Sequence, residues 1–279
     1  MDFPYASLQA ESLTEPLAMP LSGFEQSQFH DGTTSFPVYR AGTGPGVVII
    51  HEIPGITPQV ARFARRVADA GFTVVLPELF GTAGRRLSAG YLADSVARVC
   101  VRREFHVLAR NGTSPIVEPL KALCRQLHAE LGGPGVGALG MCLTGNFALA
   151  LMVDPVVAAP VLSQPSLPFG ITASHRAALH LSETDLHCVK DRVAQGARVL
   201  GLRFTHDLAC PKARFDHLRR ELGEGFEAIE IDSGPGNAHG IPRYAHSVLT
   251  NDLVDREGHP TRAALDRVLG FFAERLKAA

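Results

Sequence analysis

Val136-Gly137-Ala138-Leu139-Gly140-Met141-Cys142-Leu143-Thr144-Gly145 is the stretch of this 279-residue chain on which the fold turns. An apolar run of strand length ends in a turn, and apolar residues then recur at helical spacing through Phe147, Leu149, Leu151 and Met152. At the hand-over sits a cysteine between small residues, the layout of a nucleophile elbow with sulfur in place of a serine oxygen. The strained backbone of such a turn needs small neighbours. Gly140 supplies one two positions before Cys142, while Thr144 stands two after it, where the smallest residues are usual, with Gly145 next. The turn also puts Cys142 at the start of a helix, whose partial positive charge favours thiolate. A buried structural cysteine is the plainer alternative, and the strand-turn-helix setting argues against it. Cys100, Cys124, Cys188 and Cys210 have no such setting and read as ordinary core or surface residues.

A second apolar run earlier in the chain, Val47-Val48-Ile49-Ile50, also ends in a turn of reactive groups, His51-Glu52-Ile53-Pro54-Gly55. Around it the elements alternate. Residues 57–70 carry Val60, Phe63, Ala64 and Val67 at helical spacing and stop at Gly71, and 72–76 is another buried strand. Strand, helix and strand with short joins predict a parallel sheet. Helices follow over 92–108 and 116–131, the elbow strand over 135–139, a strand over 156–162, a helix over 182–194, strands over 199–204 and 226–231, and a closing helix over 261–277. Ahead of them, 24–30 and 34–39 read as a hairpin turning at Asp31-Gly32, with Pro37 restricting the second strand to an edge. Residues 1–22, with Pro4, Pro16 and Pro20, read as an arm, and 23–279 as a single α/β domain with a mostly parallel central sheet, helices on both faces and no separate cap domain.

Composition narrows the function classes. Apolar residues make up 46% and charged residues 20%, enough for a sizeable core, and the formal net charge of −1 leaves no basic surface for nucleic acid. An odd count of five cysteines without a CxxC pair predicts neither a disulfide framework nor structural zinc, and points to a reducing, cytoplasmic compartment. No apolar run reaches the roughly 20 residues of a membrane helix, and no secretory signal opens the chain. Among the twelve histidines, His175, His180 and His187 miss the helical i, i+4 spacing of a two-histidine zinc motif, and His51 has no second histidine at such spacing, so no metal is expected. Gly132-Gly133-Pro134-Gly135 precedes a strand rather than opening a helix, which excludes a dinucleotide loop, and no cofactor is expected.

Three segments together, His51-Glu52-Ile53-Pro54-Gly55, Gly71-Phe72-Thr73-Val74-Val75-Leu76-Pro77-Glu78-Leu79-Phe80 and Gly140-Met141-Cys142-Leu143-Thr144-Gly145, resemble the dienelactone hydrolase family of α/β-hydrolases. The resemblance spans roughly residues 35–279 and weakens in the C-terminal third. It implies a cysteine that attacks a small lactone or ester and forms an acyl-thioester, a histidine base and an aspartate that orients it. It also implies that Glu52 holds the thiol in its resting state, in keeping with like-charge repulsion between carboxylate and thiolate. Glu52 as a simple helix-start acid is the other reading. The superfamily's oxyanion donors fall on the backbone N–H groups of Ile53 and Leu143.

The orienting acid should follow the strand at 199–204. Asp207 stands there, although the glycine usual shortly before it is displaced to Gly201, and Asp216 falls inside the next helix. Two histidines compete as base. His239 is followed by Gly240 as in the family's usual turn, whereas His246-Ser247-Val248 also fits the family and stands at a distance from the closing helix closer to the family's, and His246 is preferred. Arg243, with Arg85 and Arg86, could reach a substrate carboxylate or serve only as surface charge. The expectation is a hydrolase of a small-molecule ester or lactone, monomeric or a small homo-oligomer, binding neither nucleic acid nor membrane. A catalytically silent scaffold that binds a ligand or partner, and an acyltransferase, are the alternatives.

Overall fold

The computed structural model describes residues 21–101, 113–166 and 172–277. Its strands run, in chain order, over Glu25–His30 (β1), Ser35–Ala41 (β2), Gly46–Ile50 (β3), Thr73–Pro77 (β4), Val136–Met141 (β5), Val157–Ser163 (β6), Val199–Phe204 (β7) and Phe226–Ile231 (β8). The described helices are Pro58–Asp69 (α1), Ala89–Val101 (α2), Val117–Leu131 (α3), Gly145–Leu151 (α4), Ala173–Ala177 (α5), Glu183–Ala194 (α6), Lys212–Leu222 (α7) and Pro260–Leu276 (α8). One sheet takes all eight strands in the order β1-β2-β4-β3-β5-β6-β7-β8. The β1–β2 and β2–β4 pairs are antiparallel, and every pair from β4 to β8 is parallel. This is the α/β-hydrolase fold.

The continuous apolar strands are explained by burial on both faces. In β3, Val48 and Ile50 enter the layer that holds α3, α4, α6 and α7, while Val47 and Ile49 enter the opposite layer with α1 and α8. Alternate Cβ atoms point to opposite faces, so each strand contributes to two cores. Thr57 caps α1 by accepting from Val60 N–H at 3.3 Å, and Pro58 occupies the first helical position, where no N–H is needed.

The chain leaves β3 toward β4 on one side, while β5 lies on the other. Strand order therefore reverses at β3, and the crevice at the carboxyl ends of β3 and β5 is where such sheets bind ligands. Both reactive turns emerge there: His51–Gly55 after β3 and Cys142 after β5.

Two local expectations are corrected. Pro37 does not lie on an edge strand, because β2 is flanked by β1 and β4. The ladder with β4 begins at Val38↔Pro77, so Pro37 sits at its end, and its carbonyl accepts from Glu78 N–H at 2.9 Å. The missing N–H thus costs a single terminal bond. The elbow is followed at once by a 3-10 turn over Cys142–Thr144 before α4 begins, and the short α5 has no periodic signal in the sequence. The stretch 102–108 of the expected second helix, and residues 1–20 of the arm, lie outside the described residues. Leu21, from the end of that arm, is buried against the α1–α8 layer. Among the described residues no helix is long and apolar enough to cross a membrane.

Candidate active site

Cys142 has φ +53, a left-handed conformation that a side chain adopts only when its surroundings hold it there. Two glycines make it possible. A Cβ on Gly140 would collide with the Thr144 carbonyl oxygen, and one on Gly145 with the Cα of Pro165. The small residue expected two after the cysteine is therefore needed three after it. Thr144 has its own task, since its hydroxyl accepts from Met141 N–H at 3.1 Å and lies within 3.1 Å of the Ile50, His51 and Met141 carbonyl oxygens. Its single proton can serve one of those carbonyls at a time. This buried hydroxyl ties the ends of β3 and β5 together, which brings the two reactive turns side by side.

His246 lies beside Cys142 and donates from Nδ1 to Asp207 Oδ2 at 2.7 Å. Asp207 is itself fixed, its Oδ1 accepting from Ala209 N–H at 2.9 Å and Cys210 N–H at 3.2 Å. Burial works against an imidazolium here, but the Cys142 sulfur and the Asp207 carboxylate outweigh it and hold the His246 pKa well above its usual value. The loop carrying His246 is pinned by Asp252, whose Oδ2 accepts from the His246 and Ser247 N–H groups, both at 2.8 Å.

His239 occupies a different place. It is exposed and packs edge-to-face on His259 at 5.3 Å, next to the start of α8. Of the two histidines, the structure brings His246 to the sulfur. Arg243 and Arg86 are exposed, and Arg85 lies over the ring of Tyr91 at 4.3 Å.

Glu52 is buried, and both of its oxygens accept hydrogen bonds. Oε2 takes Ser247 Oγ at 2.8 Å and Gln164 Nε2 at 3.2 Å, and Oε1 takes the Thr250 hydroxyl and, at 3.5 Å, Asn251 Nδ2. The Cys142 thiol is not among these partners. Burial raises the Glu52 pKa, opposed by the bonds from Thr250, Ser247 and Gln164 and by the charge of His246. Neighbouring His51 is fully buried, with Nδ1 3.1 Å from the Glu52 carbonyl oxygen and Nε2 accepting from Leu79 N–H at 3.1 Å. Burial lowers its pKa to about 4, so it is a neutral structural link between the turns after β3 and β4.

For an oxyanion, the two backbone candidates come from the turns after β3 and β5. Leu143 stands in the first turn of a 3-10 helix, where an N–H has no intrahelical acceptor. Ile53 follows Glu52 in the turn after β3, and among the described residues its N–H has no acceptor. No group of three or more potential metal ligands occurs among the described residues.

Sequence reasoning missed Gln164, Ser247, Thr250, Asn251 and Asp252. The last four lie within six positions of His246, so a run of hydrogen-bonding side chains beside a candidate base was the available signal. Gln164, at the end of β6, had none.

The model of the dienelactone hydrolase family matches residues 34–276. A Saccharomyces cerevisiae protein provisionally assigned as a carboxymethylenebutenolidase is 26% identical over 223 residues, covering 73% of this chain and 78% of that protein. Among solved structures, a dienelactone hydrolase from Anabaena variabilis superposes with a TM-score of 0.57 at 15% identity, over 91% of this chain and all of that one. A dienelactone hydrolase-like promiscuous phosphotriesterase from metagenomic libraries gives 0.55 at 20% identity, over 91% and 98% of the two chains. The chain belongs to the dienelactone hydrolase family and is a hydrolase of the ester- and lactone-cleaving kind.

Proposed function

We propose that this family member cleaves a small ester or lactone through an acyl-thioester on Cys142. The observation that carries the reading is the line Cys142–His246–Asp207, with sulfur beside imidazole and imidazole 2.7 Å from carboxylate. Thiolate is the attacking form of cysteine, and the raised pKa of His246 keeps the displaced proton on the imidazole. Sulfur adds to the carbonyl carbon, and the oxygen takes the electron pair while Ile53 and Leu143 N–H groups donate to it. Collapse expels the alkoxide, which receives the proton from His246. A water then gives its proton to the neutral imidazole and attacks the thioester, and Cys142 leaves with the acid released. Asp207 keeps the imidazole oriented throughout.

Glu52 enters this scheme through the base rather than the thiol. Its partners Ser247, Thr250 and Asn251 all belong to the loop of His246, so it anchors that loop in the crevice. The exposed Arg243 has no described bond that would hold it toward a substrate carboxylate.

Turnover of p-nitrophenyl acetate and of a small enol-lactone by wild type, Cys142→Ala, His246→Ala and His239→Ala tests the reading. Loss of about 10³-fold or more with the first two, and little change with His239→Ala, is expected. Activity that survives Cys142→Ala would refute it. Adding an alcohol or amine and analysing products separates hydrolysis from acyl transfer.

A further inference from the structure

Arg203 and Arg214 are the bulkiest fully buried side chains of the described residues, and they are neutralised differently. Arg203 meets the Glu230 carboxylate at 2.5 Å. Among the described residues Arg214 has no carboxylate in contact; its guanidinium is hydrogen-bonded to the Cys210 side chain and donates to backbone carbonyls. Nε reaches Ala178 at 2.9 Å, Nη1 reaches Pro165 and, at 3.5 Å, Ala209, and Nη2 reaches His175 at 3.3 Å. A buried cation without a carboxylate partner is costly, so its charge has to be balanced by other groups nearby. Those acting on it are Cys210, Asp207 and Cys142, which oppose the lowering of its pKa by burial. Two of these three belong to the hydrolytic site, and the third, Cys210, is a fully buried thiol pushed up to about 12.

Its carbonyl partners lie where the site is assembled. Pro165 precedes Ser166, whose N–H donates to the Cys142 carbonyl at 2.8 Å, and it packs on Gly145 of the elbow. Ala209 donates its own N–H to Asp207. His175 and Ala178 belong to α5 and its end. One side chain from α7 therefore joins the contact behind the nucleophile, the loop of the orienting acid and α5.

We infer that Arg214 is a positioning residue of the hydrolytic site, fixing the backbone behind Cys142 and beside Asp207 while placing an unpaired positive charge near both. The inference rests on the assignment of Cys142 as nucleophile. His180, hydrogen-bonded to Asn146 at 3.0 Å, is lowered to about 3 by burial and by the neighbouring Arg214 and His175, and Arg203 is held by Glu230. Arg214 is thus a cation under the influence of both the Cys142 sulfur and the Asp207 carboxylate, in addition to His246.

Full-length wild type, Arg214→Met, Arg214→Lys and Cys142→Ala are compared for kcat and KM on p-nitrophenyl acetate, with melting temperatures measured alongside. An active Cys142→Ala would sink the nucleophile assignment and the role of Arg214 with it. With Cys142→Ala silent, Arg214→Met should lower kcat about 10- to 100-fold at nearly constant KM, while Arg214→Lys, which keeps the charge with fewer donors, stays about threefold below wild type. Wild-type kcat in Arg214→Met, at any melting temperature, would overturn the inference, as would a folded Lys variant as slow as Met. Should Arg214→Met not fold, Arg214→Gln serves as the neutral variant. If that also fails, the Lys variant decides: a kcat about threefold down at constant KM supports the role, and a wild-type kcat overturns it.

Discussion

At the scale of single residues, the site is built from side chains whose partners matter more than their identities. Glu52 shows this. The carboxylate could have faced the thiol, yet every described hydrogen bond it accepts comes from Gln164 or from the loop of His246. Its pKa is raised above the ordinary 4.5, so protonation favours the folded state. That contribution is fully present below the unfolded value and is lost as pH rises through the folded one. Glu52→Gln turns an N–H₂ toward a donor and should cost about 1–2 kcal/mol at neutral pH. Thermal melts should show the wild-type advantage growing as pH falls from about 8 to about 5, and an advantage that shrinks over that range would contradict the assigned burial of the carboxyl. Cys142 was legible in the sequence because an elbow imposes a local pattern. Asp207 was expected from its place after a strand and His246 from the family's spacing to the closing helix, and the structure puts the two 2.7 Å apart. Arg214 was not legible, because its four carbonyl partners come from three separate segments and leave no trace in local spacing.

At the scale of elements, the elbow is the part on which the site depends. Gly140 and Gly145 are required by close approaches, to the Thr144 carbonyl and to Pro165, and not by the conformation of either glycine. Gly140→Ala should therefore destabilise the fold by about 3 kcal/mol or more, since the atom it meets is backbone that cannot swing aside. Denaturant unfolding measures this, and a loss under about 1 kcal/mol would mean the turn relaxes easily. Strand and helix existence was legible from apolar period, because buried parallel strands and amphipathic helices write different patterns. What escaped was set by tertiary contact. Gly201 is in β7 where a Cβ would strike the Phe226 ring, so it serves packing and not the acid turn. Pro37 is tolerated inside the sheet because the ladder of its neighbour stops beside it.

At the scale of the whole molecule, the reversal of strand order between β4-β3 and β3-β5 creates the crevice, and the Thr144 hydroxyl closes its floor. The two stretches most informative in the sequence are those that the topology places at this point. The matching family model over residues 34–276 agrees with that reading of the fold. The loops that complete the site come from the ends of β6, β7 and β8, far apart in sequence, which is why their hydrogen-bond network emerged only in three dimensions. The central claim is that catalysis passes through a bond to the sulfur of Cys142. Acid-quenching the enzyme during turnover of p-nitrophenyl acetate and locating the acetyl group by peptide mass spectrometry tests it most directly. The label is expected on the peptide containing Cys142 and on no other in wild type, with no label in Cys142→Ala. An acetyl group carried by a different residue, or full turnover with no labelled enzyme and an active Cys142→Ala, would contradict it.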